Sequence, residues 1–98
     1  MVKNKEEILE TLKDVKSKLN LDYRVKTIGI FGSYINNTQT PTSDIDFLVE
    51  FENDADLFHL TGLSRYLEEL FKTKVDVISK SSIKEDLKKN ILESVIYM

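Results

Sequence analysis

The chain has 98 residues, the size of one small domain, so we expect a single domain over residues 1–98. Its 17 Asp and Glu residues outnumber 14 Lys and Arg residues, and the resulting net charge of -3 argues against bulk nucleic-acid binding. Without Cys and with one His, the chain lacks the residues for disulfides, thiolate metal sites or His-rich metal clusters, so carboxylates must carry any chemistry.

The first predicted element is an amphipathic helix from Lys5 to Asn20. Its apolar residues recur at intervals of four, three and four positions, as on one helical face: Ile8, Leu12, Val15 and Leu19. Asn4 is the expected N-cap, with Glu7 as its capping-box partner.

Two predicted strands follow this helix. The first, Val25 to Phe31, is apolar and β-branched and runs into a turn at Gly32. The second, Asp44 to Phe51, alternates, which places two sets of side chains on opposite faces of the sheet. One face carries Ile45, Phe47, Val49 and Phe51, and the other carries Asp44, Asp46, Leu48 and Glu50.

The second half of the chain continues the alternation of helices and strands. A leucine-rich helix is expected from Leu57 to Leu70 or Phe71, followed by a third strand from Val75 to Ser79. Ser82 and Glu85 form a plausible capping box for a last helix. The apolar face of that helix would contain Ile83, Leu87, Ile91 and Val95. The apolar end of the chain, residues 95–98, is expected in the core or at an interface.

This order predicts an α/β fold, with a small mixed β-sheet of about three strands flanked by helices. The short connection between the first two strands favours an antiparallel pair, and the helical crossover to the third favours a parallel one. One edge of the sheet would then gather Gly32, Ser33, Asp44, Asp46 and Asp76.

The three Asp residues are the candidate chemical groups. Asp44 and Asp46 project from one strand face about 6.6 Å apart along the backbone. Taken alone, this pair is more often a solvated strand start, and Asp76 taken alone has the alternative of facing water or a Lys. Three carboxylates together would repel one another unless cations neutralised them, and oxygen ligands suit Mg²⁺ or Mn²⁺.

Gly32 and Ser33 are the second candidate group. Glycine at the end of an apolar strand allows a positive φ and a close approach to the backbone. A helical turn beginning at Ser33 would direct free N–H groups at an anion such as a phosphate. The dipeptide alone is a common turn, and its meaning comes from the ten residues that separate it from Asp44-Ile45-Asp46.

With this spacing, and with Asp76 in the segment Lys74-Val75-Asp76-Val77, the sequence resembles the minimal nucleotidyltransferases of the DNA polymerase β-like superfamily. The resemblance implies that superfamily's fold and a nucleotidyl transfer site. Gly32 and Ser33 would hold the triphosphate of ATP, and Asp44 and Asp46 would bind two Mg²⁺ ions, with Mn²⁺ as a substitute. Asp76 would complete the metal site and help to activate the acceptor hydroxyl.

The resemblance also implies a partner. Stand-alone members of the family are similar to antitoxins paired with a HEPN-domain ribonuclease, so the implied reaction transfers AMP from ATP to a Tyr hydroxyl of that toxin. Family members commonly carry Arg where this chain has Asn36, and Asn cannot replace that charge. An antitoxin that acts by binding alone therefore remains an alternative. A sugar-nucleotide transferase is a weaker alternative, since the chain lacks room for its nucleotide-binding half.

The sequence also bears on location. The N-terminal residues are charged throughout, and no apolar run approaches the roughly 18 to 20 residues needed to span a bilayer. We therefore expect a cytoplasmic protein without membrane contacts.

Overall fold

A computed structural model describes residues 4–32 and 44–98 of the chain. Within these two ranges it contains four α-helices and four β-strands, with one 3-10 turn at Lys80–Ser82. In chain order they are α1 (Lys5–Asp14), α2 (Lys16–Tyr23), β1 (Val25–Phe31), β2 (Ile45–Phe51), α3 (Leu57–Phe71), β3 (Val75–Ser79), α4 (Glu85–Ser94) and β4 (Ile96–Tyr97). The fold is therefore α/β, as predicted.

The strands form one mixed sheet with the order β3-β2-β1-β4. β1 and β2 are antiparallel, and β2 and β3 are parallel, so both predicted pairings are confirmed. The predicted count of about three strands omits β4, which pairs antiparallel with β1 through Gly29 and Ile30. This two-residue strand lies in the apolar C-terminal end, where it is too short to show any alternation.

The single first helix predicted from Lys5 to Asn20 is wrong, because the chain breaks at Val15 into α1 and α2. Val15 leaves the helical region (φ -111°, ψ 15°), and its N–H donates to the Leu12 carbonyl at 3.2 Å. The change of direction keeps Leu12 and Leu19 fully buried against the sheet. Asn4 is the N-cap as predicted, since the Glu7 N–H donates to its Oδ1 at 2.8 Å.

The predicted cap of the last helix is also wrong. Ser82 belongs to the 3-10 turn, and α4 begins at Glu85 with Lys84 at its N-cap and no side-chain capping bond. The turn uses its hydroxyls locally, with Ser79 Oγ and Ser81 Oγ 3.0 Å apart. Although its apolar residues follow helical spacing, α4 has no buried residue.

The hydrophobic core lies between one face of the sheet and α1, α2 and α3. Its buried side chains include Ile8, Leu12, Leu19, Val25, Ile28, Ile30, Ile45, Phe47, Val49, Leu63, Leu67 and Phe71. Leu48, on the opposite face of β2, is also fully buried. Between the 3-10 turn and β4, Lys80 Nζ lies 5.9 Å from the Tyr97 ring centre.

None of the helices in the described ranges has the length and apolar character needed to cross a membrane.

Candidate active site

The sheet brings two of the three predicted acidic residues side by side. Asp46 of β2 and Asp76 of β3 are register partners on neighbouring parallel strands, whose backbones lie about 4.8 Å apart. Asp44 precedes β2 at the same end of the sheet. The backbone explains the alignment, because the Ile45 N–H donates to the Lys74 carbonyl at 3.2 Å and fixes the start of both strands.

The three carboxylates interact electrostatically. Asp44 and Asp76 are exposed, whereas Asp46 is half-buried. Burial, together with the negative charges of Asp76 and Asp44, raises the pKa of Asp46 from 3.8 to about 6. A half-buried acid beside two like charges is a group that a cation would stabilise in its ionised form.

Gly32 lies directly against Asp46. It follows Phe31, the register partner of Asp46, and it adopts a positive φ of 82°. A Cβ placed on Gly32 would collide with Oδ2 of Asp46. The sequence predicted a glycine turn here, but contact between this turn and the carboxylate appears only in the folded chain. Ser33 and Asn36 lie outside the described residues.

The donor chemistry of this edge fits a divalent cation that arrives with a nucleotide. Carboxylate oxygens are the ligands that Mg²⁺ prefers, and it is commonly held by one or two carboxylates together with phosphates and water. In the described part of the chain, no three acidic or histidine side chains approach closely enough to hold a metal ion by themselves. These residues thus match a shared metal and phosphate site better than a closed protein cage.

One supporting residue was not foreseen from the sequence. Glu68 of α3 accepts the Val75 N–H on Oε2 at 3.4 Å, next to Asp76 at the start of β3. Glu68 thereby links α3 to the strand that carries the third carboxylate. The sequence offers no signal for this contact, since Glu68 resembles any exposed helical Glu.

Comparison with known sequences identifies relatives of nearly full length. A family model for the nucleotidyltransferase domain matches residues 8–98. A Methanocaldococcus jannaschii protein, provisionally named a protein adenylyltransferase, is 45% identical over 98 residues, covering 99% of this chain and 100% of the relative. The protein adenylyltransferase MntA of Thermococcus cleftensis is 39% identical over 93 residues, covering 95% and 94% of the two chains.

Solved structures with the same fold include one provisionally described as a minimal nucleotidyltransferase. It superposes with a TM-score of 0.81 at 26% identity, covering 96% of this chain and 95% of its own. A toxin-antitoxin structure with AMP-PNP has a TM-score of 0.70 at 25% identity, covering 97% and 72%. A complex of a tri-AMPylated Shewanella oneidensis HEPN toxin with its MNT antitoxin resembles the chain in fold, with a TM-score of 0.63, 21% identity, and coverage of 91% and 70%.

The acidic strand edge, the glycine beside it and the near full-length match to the family model lead to one conclusion: the chain belongs to the nucleotidyltransferase domain family and is a minimal nucleotidyltransferase homologous to the MntA adenylyltransferase antitoxins.

Proposed function

We propose that the protein is an antitoxin that transfers AMP from ATP to a Tyr hydroxyl of a partner HEPN toxin. The observation that carries the chemistry is the pairing of Asp46 with Asp76 in register, beside a glycine that leaves room for the Asp46 carboxylate. Similarity to protein adenylyltransferases over almost the whole chain supports the reaction class.

In this proposal the residues of the sheet edge divide the work. Gly32 and Ser33 would hold the triphosphate, Asp44 and Asp46 would hold two Mg²⁺ ions, and Asp76 would complete the metal site and orient the acceptor. The bound ions would supply positive charge to the departing pyrophosphate and lower the pKa of the acceptor hydroxyl. The new bond joins the Tyr oxygen to the α-phosphorus, pyrophosphate leaves, and the hydroxyl proton passes to the exposed Asp76 carboxylate or to water.

The partner is proposed from the relatives. A toxin-antitoxin structure with AMP-PNP shares this fold, and in a further complex of the same fold the toxin is a HEPN protein that carries AMP groups. A partner that carries its own hydroxyl would bring the acceptor to the site already positioned for transfer.

The test combines Asp44→Asn with Asp46→Asn and follows label transfer from α-labelled ATP to the HEPN toxin. We expect the double variant to lose transfer by at least a thousandfold, since both proposed metal-binding carboxylates are removed. Asp14→Asn with Asp86→Asn removes the same charge from exposed positions of α1 and α4 and should transfer at the normal rate. Undiminished transfer by the first variant would refute the site.

A second candidate function, neutralisation of the toxin by binding alone, rests on Asn36, which stands where family members commonly carry Arg. The same Asp44→Asn and Asp46→Asn variant separates the two functions in cells that express the toxin. Full neutralisation by the variant favours binding alone, and lost neutralisation favours AMP transfer.

A further inference from the structure

A groove of about 680 Å³ lies at the end of the sheet opposite the carboxylates. It is bounded by the connection from β2 to α3, the first turn of α3, the 3-10 turn and α4. Its lining residues Glu50 and Ser79 follow Asp46 and Asp76 by four and three positions along their strands, so the groove begins about 10 to 13 Å from the candidate active site. The lining of the groove includes none of the four described candidate site residues, Gly32, Asp44, Asp46 and Asp76.

The groove has an exposed apolar side. Phe51, Ala55, Leu57 and Leu60 contribute to its lining, and Leu57 is 73% exposed. Phe58, next in the first turn of α3, is 87% exposed. On the other side stands α4, which has no buried residue and leaves Leu87 51% exposed. Exposed apolar side chains on the elements that bound a groove are typical of a protein-binding surface.

The charged side chains of the groove are of two kinds. Its three carboxylates each have a donor within the chain. Glu50 accepts Thr27 Oγ1 at 3.4 Å, Glu52 accepts Asn20 Nδ2 at 3.1 Å, and Asp56 caps α3 by accepting the His59 N–H at 3.1 Å. Its two ammonium groups, on Lys80 and Lys88, form no salt bridge in the described part of the chain. All 17 Asp and Glu residues of the sequence lie in that part. Lys80 also lies over the Tyr97 ring, with its Nζ 5.9 Å from the ring centre, but no carboxylate of the chain neutralises either ammonium group.

We propose that this groove, called here the docking groove, binds the protein partner through a hydrophobic segment flanked by acidic residues. The identification of that partner as the HEPN toxin rests on the proposed function. The partner's apolar side chains would cover Leu57 and Phe58, and its carboxylates would pair with Lys80 and Lys88. Binding at this remote surface leaves the carboxylate edge open and supplies affinity that the single reacting hydroxyl cannot provide.

Two variants test the two components of the groove. Leu57→Ser with Phe58→Ser removes the apolar contact, and Lys80→Glu with Lys88→Glu reverses the charge. The matched controls are Leu21→Ser, which changes an apolar side chain 71% exposed on α2, and Lys16→Glu with Lys89→Glu, which reverses two exposed charges. Binding of the purified toxin and binding of ATP with Mg²⁺ are each measured by calorimetry, and self-association by light scattering.

We expect each groove variant to bind the toxin at least tenfold more weakly and to bind ATP normally, while the controls bind both normally. In transfer assays KM for the toxin should rise with little change in kcat. If both groove variants bind the toxin with wild-type affinity, the docking groove is overturned. The proposed function would stand in that case, because it is tested separately by AMP transfer with the Asp44→Asn and Asp46→Asn variant. If the wild type dimerises and the groove variants do not, the proposed toxin-binding role of the groove is overturned, and its occupant is a second copy of this chain.

Discussion

Gly32 shows how one residue serves both backbone and site. Its φ of 82° is a region that other residues adopt at a cost of about 1 to 2 kcal/mol, and its missing side chain leaves space for Asp46 Oδ2. We predict that Gly32→Ala lowers the free energy of unfolding by about 2 kcal/mol. Urea unfolding measures the change.

A double-mutant cycle separates the two causes. In the Asp46→Ala background the colliding oxygen is gone, so Gly32→Ala should cost about 1 kcal/mol less than in the wild type. An equal cost in both backgrounds would show that the glycine is needed for its backbone angle alone and that the close approach to Asp46 has no energetic weight.

Asp46 makes the stability of the chain depend on pH. Its pKa is about 6 in the folded chain against 3.8 as the ordinary value, so the folded state binds the proton more tightly than the unfolded state does. For this group, stability is highest below pH 4 and is lost as the pH rises through 6. The loss is about 1 kcal/mol, less than the full shift implies because solvent screens a half-buried group.

We therefore predict that Asp46→Asn melts about 4 to 8 °C higher than the wild type at pH 8 in EDTA, and at nearly the same temperature at pH 4. Glu10→Gln, an exposed change of the same charge in α1, should melt like the wild type at both values. If the wild type is more stable than Asp46→Asn at pH 8, burial and the neighbouring charges do not destabilise the ionised Asp46 carboxylate in the folded chain.

At the scale of elements, β4 depends on a glycine in its neighbour. A Cβ on Gly29 would lie 2.7 Å from the Ile96 carbonyl oxygen and 2.9 Å from Val95 Cγ2. We predict that Gly29→Ala destabilises the chain by about 2 kcal/mol by displacing β4. Hydrogen exchange at the Met98 N–H, which donates to the Ile28 carbonyl at 3.1 Å, should accelerate.

Gly62→Ala is the matched control for this change. A Cβ there would meet Tyr23 Cε1 at 3.2 Å, which is the edge of a side chain rather than backbone. Because Ala is favoured over Gly within a helix, this variant should be neutral or up to about 1 kcal/mol more stable. Similar losses in both variants would remove the special role of Gly29.

The elements that the sequence predicted well are those with a clear period and a clear stop. β1 and β3 have their predicted bounds, and β2 begins one residue later, at Ile45. The break at Val15 escaped prediction because the apolar residues keep helical spacing through it, so the sequence pattern gives no signal of a break. The cap at Ser82 escaped prediction because the backbone at this residue belongs to the 3-10 turn, and α4 begins three residues later, at Glu85.

At the scale of the molecule, connection lengths predicted the acidic edge. A short link fixes β1 and β2 as antiparallel, and a crossover through α3 fixes β2 and β3 as parallel, so Asp46 and Asp76 meet. The docking groove was not predictable in this way, since it joins side chains from four segments whose spacing in sequence carries no period. Exposure of Leu57 and Phe58 emerges only when the position of α3 is known.

The whole chain is acidic, and its net negative charge determines whether salt strengthens or weakens the binding of ATP. Three carboxylates on a molecule of net charge -3 should repel ATP, and screening relieves a repulsion but weakens an attraction. We therefore predict that ATP binds at least tenfold more weakly in EDTA than with Mg²⁺. Raising NaCl from about 20 to about 200 mM should strengthen the residual binding in EDTA and weaken the binding with Mg²⁺. Calorimetric titrations of ATP at low and high NaCl, each in EDTA and with Mg²⁺, measure these affinities.

With Asp44→Asn and Asp46→Asn combined, the affinity for ATP in EDTA should rise and the effect of Mg²⁺ should shrink. If salt weakens ATP binding in EDTA as well, the nucleotide is held by lysines and the acidic edge is not its site.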